Sequence, residues 1–207
     1  ILVSFLFCFS DYKKKLSEYN IYKGNPHNLI TTTNFLTYEL ITPLFSDYAY
    51  KHRAIYVPPD KRIIFDNEKV FEFPEGTIII KTFYYPYDFS DYSKGISLKE
   101  TRVMILNDEG WVGLPYIWNE SETEAYLDIT GGIKQAIWLD KAGNKNKIDY
   151  IIPNFNQCKG CHVNNNIFKP IGPSARQLNM VVDYKSESKN QLKKWFELGF
   201  LIQFLIL

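Results

Sequence analysis

The chain has 207 residues, 45% of them hydrophobic and 23% charged, a balance that fits a folded globular chain and excludes a disordered tail, a collagen-like fibre and a polytopic membrane protein. Twenty-four basic against 23 acidic residues leave a formal net charge of +1, too small for a general polyanion surface. Three cysteines are too few for a disulfide framework. Aromatic residues make up 16%, with 15 Tyr and 15 Phe, and lean towards β-structure.

Residues 1–10 open with the apolar, uncharged run Ile1–Phe9, shorter than a membrane span and followed by Asp11 and Lys13-Lys14-Lys15. This pattern predicts the remnant of a secretory signal peptide, with a buried N-terminal strand as the alternative. A lipid anchor at Cys8 is disfavoured by the bulk of Phe7 just before it.

Phe35–Tyr50 reads equally as helix or loop. Beyond it, short runs rich in Val, Ile, Tyr and Phe predict strands at Arg53–Val57, Arg62–Phe65, Val70–Phe73, Thr77–Tyr85, Thr101–Leu106, Trp111–Trp118, Gln135–Leu139 and Ile148–Ile152. Turn residues such as Pro74-Glu75-Gly76 and Asn107-Asp108-Glu109-Gly110 punctuate them. Residues 11–152 are therefore expected to form a β-rich domain, an antiparallel sandwich or barrel. Glu120–Leu127 is expected to form one helical turn, and its carboxylates Glu120, Glu122 and Glu124 a solvated acidic run.

After Pro153 the composition shifts to Asn, Lys, Gly and Pro, and basic residues outnumber acidic ones. Asn190–Ile202 places Leu192, Trp195, Phe196 and Gly199 at helical spacing. The final run Phe200–Leu207 is apolar and too short to cross a bilayer; it reads as a helix cut short or a frame-shifted end.

The chemistry concentrates at Cys158-Lys159-Gly160-Cys161-His162, the C-x-x-C-H pattern of c-type haem attachment. Two thiols three positions apart lie on one side of a helical turn and can each form a thioether with a haem vinyl group. The histidine that follows can then ligate the iron from the proximal side. Such an imidazole needs an acceptor on its other ring nitrogen to fix its tautomer. Gly172-Pro173 follows, with Pro173 eleven residues on, and the Pro173 carbonyl is the candidate acceptor. Arg176 is the candidate partner of a haem propionate. For the sixth iron position a ligand beyond residue 207 is the favoured expectation; within the chain Met180 is the candidate, with Met104, His27 and His52 as the remaining choices, and both histidines read as surface residues.

Rival uses of the cysteine pair fit less well. Zinc needs four nitrogen or sulfur ligands, normally as two close pairs, and no second pair is present. A dithiol redox pair belongs to a βαβ pattern, whereas this one follows a β-rich stretch. There is no Gly-rich phosphate loop, no Gly-x-Ser-x-Gly and no His-Glu-x-x-His, and aromatics such as Tyr84-Tyr85 are accompanied by too few bases to suggest nucleic-acid stacking.

The C-x-x-C-H motif, together with Tyr38-Glu39-Leu40, Pro43–Ala49, Phe73-Pro74-Glu75-Gly76-Thr77, Gly110-Trp111, Leu114-Pro115-Tyr116 and Pro170-Ile171-Gly172-Pro173, resembles a family of bacterial secreted c-type cytochromes usually described as dihaem. The resemblance spans most of residues 35–199. It implies a covalently bound haem c, one-electron transfer with a redox partner protein, and a periplasmic or secreted location. It also implies a second C-x-x-C-H, which this sequence lacks. The expected fold class is α+β: the β-rich domain at 11–152, then a small cytochrome c-like helical module at 153–207. No nucleic-acid partner and no integral membrane span are expected. An enzyme with a substrate site in the β-rich domain and a zinc-binding structural module remain the alternatives.

Overall fold

Alternating strands between residues 36 and 127 assemble into a single antiparallel sheet in the computed structural model, which describes residues 12–164, 167–184 and 187–202, with Cys158, Lys159, Cys161 and Asn164 described in backbone only. The expected signal remnant at 1–10 lies outside the described residues, as do residues 203–207 of the run Phe200–Leu207, whose described part is no helix: Leu201–Ile202 is a strand. The strands are β1 (Leu36–Thr37), β2 (Tyr50–Tyr56), β3 (Ile63–Ile64), β4 (Ile78–Pro86), β5 (Ile96–Asn107), β6 (Gly110–Trp118) and β7 (Ala125–Leu127). All but β3 join the sheet, in the order β1-β2-β4-β5-β6-β7. The β5–β6 hairpin closes where Asn107 pairs with Gly110, and Gly110 takes φ 115, a conformation open to glycine and strained for other residues.

Register decides which side chains share a face. Ala54, Ile80, Val103 and Leu114 lie side by side across β2, β4, β5 and β6. Their face is covered by the N-terminal segment through Leu16, Tyr19, Ile21 and Phe35. On the opposite face, one rung holds Ile55, Ile79, Met104 and Gly113. The next holds Arg53, Lys81, Arg102 and Pro115, and the third Lys51, Phe83, Glu100 and Ile117.

Two structures cover that second face. A hairpin of β8 (Gly132–Leu139) and β9 (Lys145–Ile152) packs Ala136, Trp138, Tyr150 and Ile152 against Phe83 and Tyr85. The C-terminal stretch covers the other end. It consists of α1 (Phe155–His162), β10 (Val163–Asn164), β11 (Ile167–Phe168), α2 (Ala175–Leu178), β12 (Val181–Asp183), β13 (Ser188–Asn190), α3 (Gln191–Glu197) and β14 (Leu201–Ile202). Leu178, Trp195 and Leu201 enter one apolar cluster with Tyr38, Ile55, Phe71, Ile79 and Met104. The fully buried Gln191 amide donates to the Glu39 carbonyl at 2.9 Å and accepts from the Glu39 N–H at 2.8 Å. β14 runs parallel to β3.

The protein is thus β-rich around a large antiparallel sheet. No cytochrome c-like bundle of helices is seen among the described residues after 153; the three helices there have eight, four and seven residues. The expected helical turn at Glu120–Leu127 is corrected as well: Ala125–Leu127 is strand β7 on the sheet edge, because Ala125 fills the core beside Trp118. Glu122 there is a knot, accepting from the Leu98 N–H at 2.8 Å and the Ser97 hydroxyl at 2.6 Å. Val70–Phe73 makes only single bridges, at Val70 and Glu72. The helix expected over Asn190–Ile202 stops at Glu197, and Gly199 at φ 71 turns the chain into β14. Among the described residues, no helix is long and apolar enough to cross a membrane.

Candidate functional site

Helix α1 starts with a reciprocal pair: Asn154 Oδ1 accepts from the Gln157 N–H at 2.9 Å, and Gln157 Oε1 from the Asn154 N–H at 2.8 Å. This satisfies two N-terminal donors that the helix itself leaves open. The turns that follow carry Cys158 and Cys161 and end at His162. Beyond it the chain doubles back as the β10–β11 hairpin, pairing Val163 with Phe168. Lys169 is thereby set opposite His162. Its N–H donates to the His162 carbonyl at 2.9 Å, and its carbonyl lies 3.1 Å from His162 Nδ1.

A carbonyl can only accept, so Nδ1 carries the proton and Nε2 keeps its lone pair. Burial, reinforced by the nearby Lys81 and Arg102 cations, pushes the His162 pKa down to about 4 against the weaker opposing pull of the Lys169 carbonyl. The ring is neutral at pH 7, the form that binds a metal. Phe168 steadies it, with ring centroids 5.5 Å apart. Phe168 in turn sits over Gly113, where an added Cβ would meet Phe168 Cζ at 2.9 Å.

His162 faces a cavity of about 540 Å³ between the second sheet face and the segments 40–46 and 170–177, within the range of cofactor sites. Ile79, Met104, Leu40, Phe168 and Pro170 give it apolar walls, and Lys51, Arg53, Lys81 and Arg102 line one side. Arg102 is held by the fully buried Glu100 through two contacts of 2.8 and 2.6 Å, and Tyr150 donates to the same carboxylate at 2.6 Å. Arg53 reaches Glu39 at 3.3 Å, and Lys51 donates to the Leu44 carbonyl at 2.8 Å. Lys81 Nζ has no hydrogen bond or salt bridge among the described residues; it lies 5.1 Å from the Phe83 ring centre, with the Arg102 guanidinium 4.4 Å from the same ring. Burial and then the neighbouring cations pull the pKa of both Lys51 and Lys81 down to about 8.

The residues singled out from the sequence fare differently. Cys158 and Cys161 share α1 with His162, their side chains outside what is described. Pro173 lines the cavity, but its carbonyl accepts from the Phe71 N–H at 3.2 Å; the acceptor beside the imidazole belongs to Lys169, because a tight hairpin returns the chain sooner than the Gly-Pro loop. Arg176 is exposed on the single turn of α2 and does not line the cavity. The cations that do come from β2, β4 and β5. Met180 is tied down by its backbone to Leu178 and Gln191 and is not a lining residue, whereas Met104 is. His27 is within 2.8 Å of Glu122. His52, expected at the surface, is instead tucked beside Tyr22 on the opposite face, its Nδ1 buried without a hydrogen-bond partner among the described residues.

The cationic rung escaped sequence reasoning: only Lys81 interrupts an apolar run, Ile78-Ile79-Ile80, while Arg53 and Arg102 sit in strands that carry other polar residues, and their alignment depends on register. A haem fits these residues: a neutral imidazole of fixed tautomer, an apolar cavity, and cations able to neutralise carboxylates. Among the described residues no group of three or more His, Cys, Asp and Glu gathers that could hold a bare ion. Compared with known proteins, the chain matches no family model, no curated sequence and no solved structure.

Proposed function

We propose that the protein is a c-type cytochrome that transfers single electrons to or from a partner protein outside the cytoplasm, in the periplasm or after secretion. The observation that carries this reading is the C-x-x-C-H motif on α1 with its histidine oriented by the Lys169 carbonyl. Each cysteine S–H would add across one haem vinyl group, forming a thioether without loss of atoms. A haem bound there supplies a one-electron iron couple. The protein's own part is to hold His162 neutral, direct Nε2 away from Lys169, and surround the cofactor with Ile79, Met104 and Phe168. Burial of this kind disfavours a change of net charge at the metal and so tunes its potential.

A second reading keeps the haem and adds a substrate site, making the protein a haem-dependent oxidoreductase. It is favoured by the cationic side of the cavity, contributed entirely by the β-sheet. The first test is a pyridine haemochrome spectrum of protein exported together with the c-type maturation machinery. A c-type spectrum that survives acid-acetone extraction supports covalent attachment. A colourless protein with stoichiometric zinc by elemental analysis would move Cys158, Cys161 and His162 to a structural metal site.

A further inference from the structure

Three cations stand abreast on the sheet. Arg53 pairs with Lys81 and Lys81 with Arg102, so their Cβ atoms are only about 4.5–5.5 Å apart, a spacing at which like charges repel. Two carboxylates are near. Glu100 is already engaged by Arg102 and Tyr150, and among the described residues the half-exposed Glu39 carboxylate reaches only Arg53. Lys81, in the middle, has no hydrogen-bonding or ionic partner among the described residues. The rung lines the cavity, with the apolar side chains of Ile79 and Met104 on the adjoining rung.

We propose that this rung is a carboxylate-binding subsite, taking an organic acid whose apolar body lies along Ile79 and Met104. An anion placed over Lys81 would neutralise the repulsion within the rung and supply the acceptor that Lys81 lacks; hydrogen bonds of this charge-assisted kind are the strong ones. The inference stands on the sheet's own charges and holds whether or not His162 carries a haem. Two sources share the chemistry: a free organic acid and the propionates of a haem bound in the same cavity.

The test is calorimetric titration of 4-phenylbutyrate into the full chain, haem-free and haem-loaded, with the neutral 4-phenylbutyramide and inorganic phosphate as comparison probes. In the haem-free chain the carboxylate binds at least tenfold more tightly than the amide and displaces phosphate. Lys81→Met lowers that preference by roughly tenfold, and Lys81→Arg retains it. Circular dichroism and melting of both variants report that the sheet is intact. Binding that persists in the haem-loaded protein assigns the rung to a free acid; binding lost on haem loading assigns it to the propionates. Equal affinity for carboxylate and amide, no binding at millimolar carboxylate, phosphate binding as tightly as the carboxylate, or a preference unchanged in folded Lys81→Met overturns the proposal. A chain that never acquires covalent haem leaves the haem-free arm intact, so the two readings fail separately.

Discussion

Replacing Lys81 by Met in the ligand-free chain removes a cation that the sheet holds against both desolvation and two flanking guanidinium groups. Lowering the ammonium pKa from 10.5 to about 8 corresponds to a penalty of about 3 kcal/mol at neutral pH. The long apolar stem already packs along the sheet, so a methionine keeps most of that contact, and Lys81→Met should gain about 2–3 kcal/mol at pH 7. The same shift sets a pH window. The folded lysine releases its proton near pH 8, while the unfolded one keeps it to 10.5. Stability therefore rises with pH between those values, by about 2 kcal/mol up to about pH 9.5. Above about pH 10 the buried tyrosines oppose this: burial pushes Tyr22 and Tyr38 well above the ordinary 10.0, and the unfolded chain ionises first. Lys51, also near 8 but bonded to the Leu44 carbonyl and partly solvated, leaves a smaller residual slope in the variant. Urea unfolding followed by tryptophan fluorescence at pH 7 and 9.5 measures both effects, with an unchanged m-value as the sign that the end states are comparable. A Lys81→Met protein that is less stable at pH 7, or that keeps the full rise to pH 9.5, would refute the view of Lys81 as an uncompensated buried cation.

Gly113→Ala drives a methyl group into Phe168 and should cost about 1–3 kcal/mol by overpacking; a melting curve reads the loss, and faster acid release or poorer haem incorporation reports the loosened histidine. Glu100→Gln replaces the fully buried carboxylate that the partly exposed Arg102 and Tyr150 both bond and should destabilise by about 1–3 kcal/mol, measured by chemical denaturation. Arg176→Ala, at an exposed position away from the cavity, should change stability by no more than about 0.5 kcal/mol and leave haem content unaltered in a haemochrome assay. Met180→Leu should likewise leave the visible spectrum of the haem-loaded protein unchanged; a lost or shifted band would place Met180 at the iron and overturn its position away from the cavity.

How much of this could be read from the sequence depends on how local each signal was. The strands at 78–86 and 110–118, and the second half of 96–107, announce themselves because runs rich in Val, Ile, Tyr and Phe and the Asn107–Gly110 turn are properties of adjacent residues, whereas the stretch 96–100, with Ser97, Lys99 and Glu100, does not. Strand β7 does not: Ala125-Tyr126-Leu127 carries no strong strand signal of its own and is recruited by the edge of β6 and the core beside Trp118. The C-x-x-C-H motif is local and therefore visible, but the acceptor for its histidine depends on a two-residue hairpin pairing, Val163 with Phe168, that propensity does not single out. Helical spacing over Leu192, Trp195 and Phe196 is similarly visible, and these residues do lie on α3, whereas the return into β14 beside β3 is a pairing across more than a hundred residues.

The cavity itself follows from register, which no single strand reveals. Apolar side chains on either side recruit partners: Ile55, Ile79 and Met104 gather Tyr38, Leu178 and Trp195, while Phe83 and Tyr85 gather Trp138 and Tyr150. Between them the rung of Arg53, Lys81 and Arg102 would have to be stripped of solvent to accept an apolar cover, at a cost of several kcal/mol per charge. Neither flanking cluster closes over it, and the gap between them is the cavity onto which α1 brings His162. The charges that make the site hospitable to an anion are thus the same ones that keep it open, so neutralising Lys81 should both weaken carboxylate binding and let the two apolar clusters draw together. Shrinkage of the cavity in a Lys81→Met crystal structure, with Leu40 and Phe168 moved towards the substituted side chain, would show that the charge maintains the opening; a cavity of undiminished size would assign it to the backbone of the 40–46 and 170–177 segments instead.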